Sequence, residues 1–183
     1  MEQPLNVKQM LGASVVRSPS GLITELKFNN PFAAQLVRNG KVIKTVSGTN
    51  GVTDVGINHL FDVTFGNTSP VAQVDPWYEL LINNSPTPTL APGDTLALHT
   101  GWVEFTGYTG NRQAWVDSNS VARVKGTTTV STFPITATGV IYGIGVCSVA
   151  TGTSGVLWAT GAFDSPLSVV NTDEIRVTYG VRA

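Results

Sequence analysis

Residues Gly126–Phe163 read GTTTVSTFPITATGVIYGIGVCSVATGTSGVLWATGAF and contain no Asp, Glu, Lys, Arg or His. A stretch this long without an acid, a base or a cation is a poor place to look for a reaction. It is not a membrane span either. Its longest apolar run, Gly139–Ala150, is broken by glycines and closed by Thr151-Gly152-Thr153-Ser154-Gly155. A spanning helix needs about 20 apolar residues in succession. The stretch is read instead as three β-strands, either buried in the fold or meeting another subunit.

Each of the three strands has its own pattern. In the first, Thr127–Ala137, the side chains of Phe133, Ile135 and Ala137 share a face. In the second, Val140, Tyr142, Ile144 and Val146 form a bulky face, while Ile141, Gly143, Gly145, Cys147 and Val149 form a mostly small one. A small-backed strand invites close approach of another backbone or ring. In the third, Val156–Phe163, Trp158 alternates with Leu157 and Ala159.

Further along, Glu174–Arg182 alternates cleanly. Ile175, Val177, Tyr179 and Val181 point inward; Glu174, Arg176, Thr178 and Arg182 point outward. One buried face and one wet face is the habit of an antiparallel sheet. Because this strand has a wet face, the uncharged three must be more central or covered by something else.

Towards the N-terminus, Leu22–Phe28 alternates in the same way. Ala34–Arg38 and Lys41–Val46 then flank Asn39-Gly40, a strong hairpin signal because a type I′ turn needs positive φ at both central residues. Thr53–Phe65 is the one good helix. Thr53 caps it, Asp54 suits its first turn, and Gly66-Asn67 stops it. Ile57, Leu60, Phe61 and Phe65 recur at helical spacing and are expected to cover an open end or a face of the sheet. Gly56, costly inside a helix, marks a close approach to a neighbouring strand.

Trp77–Ile82 reads as a central strand. The Pro- and Thr-rich segment after it, through Gly101, is barred from a sheet interior and reads as a surface excursion. Trp102–Phe105 and Gln113–Val116 bracket a second expected hairpin, and Val121–Lys125 adds one further short strand. Residues 1–20 show no period and read as an extended arm. The division is therefore an arm at 1–20, a strand with the Asn-Gly hairpin at 21–50, and a body at 51–183. Roughly nine or ten strands and one short helix make a mainly β fold, an antiparallel β-sandwich or jelly roll.

Composition narrows the use. Of 183 residues, 13% are charged, against about 25% in an average domain, and the net charge is −1. No basic stripe exists, so neither nucleic acid nor an anionic membrane is an expected partner. A near-neutral β-rich chain suits an assembly better than a free monomer. The single Cys147 allows no intramolecular disulfide. The first residues lack a signal-peptide pattern, so manufacture and use without export is expected.

Catalytic templates fail one after another. His59 has only Asp62 at helical spacing, and His99 lies in the Pro-rich loop, so no zinc set forms. Gly143-Ile144-Gly145 lies within a strand, not at a strand-to-helix turn, and is no phosphate cradle. Cys147 has no base beside it in sequence and reads as a small core residue. Adjacent Asp173 and Glu174 face opposite ways on a strand. Glu79 and Glu104 would form a hydrolytic pair only if they converged in a cleft. Trp77, Tyr78, Trp102, Tyr108, Trp115 and Trp158 read as core or interface anchors, with a carbohydrate-stacking platform as the alternative. No catalytic, metal or cofactor residue is assigned, no cofactor is expected, and no small-molecule ligand is expected.

Over roughly two-thirds of its length the chain resembles a recurrent family of small tailed-bacteriophage virion proteins. The residues that carry this are Gly51-Val52-Thr53 to Leu60, Trp77-Tyr78-Glu79-Leu80-Leu81-Ile82-Asn83-Asn84 and Pro86-Thr87-Pro88-Thr89-Leu90. Gly101-Trp102-Val103-Glu104-Phe105-Thr106, Gly110-Asn111-Arg112, Ser148–Gly155 and Ile175-Arg176-Val177-Thr178-Tyr179 continue it. The resemblance implies a non-enzymatic particle component in the virion, assembled in the host cytoplasm, and carries over no functional residues. Among such roles a capsid decoration or cement protein is expected, binding the major capsid protein and copies of itself, commonly as a homotrimer. The alternative is a tail or fibre component, or a host-surface adhesin that binds glycans.

Overall fold

The computed structural model describes residues 15–17, 23–66, 71–85 and 87–183. The elements are β1 (Val15–Arg17), β2 (Ile23–Leu26), β3 (Asn30–Arg38), β4 (Lys41–Val52), α1 (Asp54–Phe65), β5 (Tyr78–Asn83), β6 (Gln113–Ala114), β7 (Val116–Asp117), β8 (Val124–Thr129), β9 (Ser131–Pro134), β10 (Gly139–Cys147), β11 (Leu157–Val169) and β12 (Glu174–Arg182). Apart from β1 and β2, which pair together within the expected arm and first strand, the remainder of that arm lies outside the described residues.

Among the described residues the fold is mainly antiparallel β with one helix. One sheet runs β6-β5-β10-β11-β4-β3-β12-β8-β7, with β9 also on β12. The β3–β4 hairpin turns at Asn39 (φ 51°) and Gly40 (φ 73°), both positive as the Asn-Gly signal requires. Its far side is tied down by Asp173, which is 2% exposed. Arg38 donates to both carboxylate oxygens of Asp173 at 2.7 Å, and the Val170 N–H donates to it at 2.9 Å.

The Arg38 hydrogen bonds hold the Asp173 carboxyl below its ordinary range. A carboxyl depressed in the folded state stabilises above its unfolded pKa, about 3.9, and loses that contribution as pH falls through the folded value. Asp173→Asn is expected to lower stability by ~1–3 kcal/mol at pH 7. The gap between variant and parent in urea midpoint should narrow towards pH 2; a gap independent of pH would contradict this.

Two segments expected to form a hairpin do something else. Glu104 bridges Ile82, and β6 pairs Gln113 with Glu79, so both segments lie along the same edge of β5. The register between them carries six residues more than an uninterrupted strand would need. That excursion closes the sheet. Around the Tyr108–Ile135 bridge, Thr109 N–H donates to the Pro134 carbonyl at 2.9 Å and Thr136 N–H to the Gly107 carbonyl at 2.8 Å. The sheet thereby comes nearly full circle into a barrel-like form, which shortens its exposed edges.

The first uncharged strand is broken at Val130 into β8 and β9. β9 pairs Glu174–Val177 and β8 pairs Gly180–Arg182. Between them the Thr127 hydroxyl takes over the backbone of Tyr179, accepting from its N–H at 2.8 Å and donating to its carbonyl at 3.0 Å. A side chain in the ladder's place parts the strand.

The second strand, β10, carries a bulge. Its pairing with both β5 and β11 shifts between Ile141 and Gly143. Against β5, β10 holds one extra residue, which moves the following side chains to the opposite face; against β11 the extra residues lie on β11, between Ala162 and Leu167. Ile141 therefore joins Ile144 and Val146 in the main core, while Tyr142 packs with Cys147 on the other side, reversing the expected faces of Ile141 and Tyr142. The third strand, β11, runs past Phe163 to Val169 because Asp164 is accommodated: Ser47 N–H and hydroxyl both donate to it, at 3.3 and 3.1 Å.

Both faces of the central uncharged strands are covered by this same chain. The main core, including Phe133, Ile141, Ile144 and Ile175, fills one side. On the other, Leu80, Ile82, Cys147 and Leu157 lie beneath Leu96 and Trp102, which are 1% and 2% exposed. The Pro- and Thr-rich segment is thus a cover, and full burial of a residue such as Leu96 contributes about 2 kcal/mol. The missing charges mark core, since a charge on either face would lose its water without a partner.

Helix α1 begins as expected. The Thr53 hydroxyl accepts from Gly56 N–H at 3.1 Å and donates to the Leu157 carbonyl, and Thr53 N–H donates to the Trp158 carbonyl at 2.9 Å. A Cβ on Gly56 would sit 2.6 Å from the Trp158 carbonyl oxygen. These contacts fix the helix rotation. Leu60 faces the core, but Phe61 and Phe65 are 51% and 80% exposed, against the expectation that they cover the sheet.

Candidate functional site

A cavity of about 420 Å³ opens beside α1. Its walls are Trp77 ahead of β5, Trp115 between β6 and β7, Trp158 on β11, and Val146 on β10. Its polar groups are His59, Gln73, Asp75, Asp117, Asn119 and Lys125.

The three indoles are held differently. Trp115 donates its ring N–H to the Thr127 hydroxyl at 2.9 Å and lies edge-on to Tyr179 at 4.9 Å. Trp158 donates to the Tyr179 hydroxyl at 3.0 Å. Trp77 is half-buried, 5.9 Å from Trp158 and edge-on to His59 at 5.6 Å. It makes no side-chain hydrogen bond among the described residues. Lys125 pairs with Asp117 at 2.7 Å, donates to the Ser118 carbonyl at 3.0 Å, and stands 5.9 Å over the Trp115 ring.

Behind this wall lies Glu79, opposite Val146 in the β5–β10 ladder and fully buried. Neither carboxyl oxygen has a hydrogen-bond partner. Burial pushes its pKa up to about 8, and the nearby Ser131 hydroxyl, with no well-formed bond to it, offsets only part. Tyr179, also buried, is raised by desolvation. At neutral pH Glu79 is thus mostly a neutral acid.

The other carboxylate of the imagined pair goes elsewhere. Glu104 is matched to Ile82, which faces the Leu96–Trp102 cover, whereas Glu79 shares its strand face with Leu81 of the main core. Arg112 clamps Glu104 at 3.0 and 2.7 Å and also donates to the Val149 and Gly152 carbonyls at 3.2 and 2.9 Å. Glu79 and Glu104 therefore lie on opposite faces of the sheet and do not form a catalytic pair. The Glu104–Arg112 contact instead braces the closing excursion against the turn after β10.

Cys147 is buried and free, its thiol raised by desolvation. His99 stacks on Trp102 at 3.8 Å and its Nδ1 lies 3.1 Å from the Trp102 carbonyl, which explains it as part of the cover. Asp173 is the structural anchor described above, and Glu174 pairs with Arg176 on its own strand. Among the described residues no three His, Cys, Asp or Glu side chains gather as a metal site. No described helix is long and apolar enough to cross a membrane.

Of the six aromatics singled out in the sequence, three converge on the cavity. Trp102 lies in the cover, Tyr108 in the closing excursion and Tyr78 beside the second core. The Lys125–Asp117 pair was not legible, because the two residues sit on different strands whose register the sequence does not state. No protein-family model matches the chain, and none of the curated proteins or solved structures compared with it is similar. The class that the described residues define is a nearly closed antiparallel β protein with one helix and an aromatic-walled cavity.

Proposed function

We propose that this chain is a non-enzymatic structural component of a bacteriophage particle, a capsid decoration protein that binds the major capsid protein and copies of itself. The observation that supports the reading is the projecting half of the β3–β4 hairpin. The β4–β11 ladder is confined to Gly51 and Val52, and nearer the turn the contact passes to side chains, Ser47 donating to Asp164 and Lys44 Nζ to the Pro166 carbonyl at 2.9 Å. Lys41–Thr45 are exposed in succession, with Val42 48% and Ile43 50% exposed. A loosely held hairpin tip carrying two exposed β-branched apolar side chains suits strand addition to a neighbouring subunit.

The test is copy number and add-back. Purified particles should contain this chain in hundreds of copies, in fixed ratio to the capsid subunit by gel densitometry. The double variant Val42→Asp, Ile43→Asp should bind particles lacking the protein at least about tenfold more weakly while keeping its circular dichroism. A dozen copies or fewer per particle would move the chain to tail or fibre. Undiminished binding by the variant would remove the hairpin from the interface.

A further inference from the structure

We propose that the cavity beside α1 is a saccharide-binding site, taking a neutral pyranose ring against Trp77 with its hydroxyls on Asp117, Lys125 and Asn119. The inference does not rest on where the chain sits in a particle. Its volume of about 420 Å³ lies within the range of small-molecule sites.

The chemistry of the wall selects the guest. Trp115 and Trp158 have their ring N–H groups satisfied by Thr127 and Tyr179, so they are fixed, preorganised surfaces. Trp77 is half-buried and its ring N–H is uncommitted among the described residues. It supplies both a flat apolar face and a donor, as amphipathic ring recognition requires.

The polar groups exclude other guests. Lys125 already places a cation 5.9 Å over Trp115, so a second cation would meet like charge at that face. An anion would meet Asp75, while the Lys125 ammonium that could receive it is already paired with Asp117 at 2.7 Å. A wholly apolar guest would strip water from that ion pair without replacing it. A sugar ring avoids all three costs. Its C–H face lies on an indole, and its hydroxyls donate to a carboxylate and accept from an ammonium or amide. The cavity is invisible in the sequence because its walls come from segments far apart along the chain.

The experiment uses the full chain. Tryptophan fluorescence and saturation-transfer NMR would be recorded with methyl glucoside, methyl galactoside, methyl mannoside and N-acetylglucosamine, with choline as the cationic probe. At least one sugar should saturate, and Trp77→Ala should weaken it at least about tenfold. Asn119→Ala, an exposed position whose change spares the fold, should weaken it several-fold, which keeps the proposal testable if Trp77→Ala does not fold. No saturation by any sugar, saturation by choline alone, or sugar binding untouched by the Asn119 variant would each overturn the proposal.

Discussion

Glu79→Gln is expected to stabilise the protein by on the order of 4 kcal/mol at pH 9 and to change it little at pH 4. The parent carboxyl is fully buried, without a hydrogen-bond partner, and raised by burial to about 8. The sign follows from proton binding. Between the unfolded value, about 4.3, and about 8, the folded chain holds a proton that the unfolded chain has lost. Stability is therefore full below pH 4 and declines as pH rises through that window, levelling above 8. Gln keeps the shape and cannot ionise, so the variant should not share this decline. Urea unfolding at intervals from pH 4 to 9 checks it. Parallel curves for parent and variant would mean that Glu79 is not the buried acid described.

Gly143→Ala is expected to cost about 3 kcal/mol or more, lowering the melting temperature by roughly 6–12 °C. An added Cβ would lie 2.0 Å from the Gly161 carbonyl oxygen and 2.9 Å from the Ala162 Cα. Both obstacles are backbone of β11, so no side chain can swing away. The clash falls beside the bulge, between two strands that are themselves paired on their far sides, so the backbone has little room to shift. Gly126→Ala is the control: nothing lies within 4 Å of its added Cβ, and a change within about 0.5 kcal/mol is expected. Differential scanning calorimetry of the two variants distinguishes them. An unchanged melting temperature for Gly143→Ala would show that β10 and β11 are less closely apposed than described.

That glycine connects sequence and structure directly. Its place on a small-backed strand announced a close approach, and the approach is to the β11 backbone. Thr53 and Gly56 were legible for the same reason, since capping and the cost of a missing Cβ are local effects. The candidate site was not. Trp77, Trp115 and Trp158 were singled out only together with Tyr78, Trp102 and Tyr108, as core or interface anchors with a carbohydrate-stacking platform as the alternative. Nothing in their spacing says that they share a wall while Trp102 lies across the sheet.

By itself, then, the sequence determined the strand-rich class, the Asn39-Gly40 hairpin, the Thr53-capped helix and the inward face of β12. Each follows from φ preferences, capping or two-residue alternation acting within a few neighbours. Only the tertiary structure decided that an excursion at Tyr108 closes the sheet, that a bulge exchanges Ile141 and Tyr142, and that Phe61 faces outward. It alone decided that Leu96 and Trp102 roof the uncharged strands, and that Glu79 and Glu104 lie on opposite faces. Those outcomes depend on register between strands distant in the chain, where one added residue reverses a face and leaves no local trace.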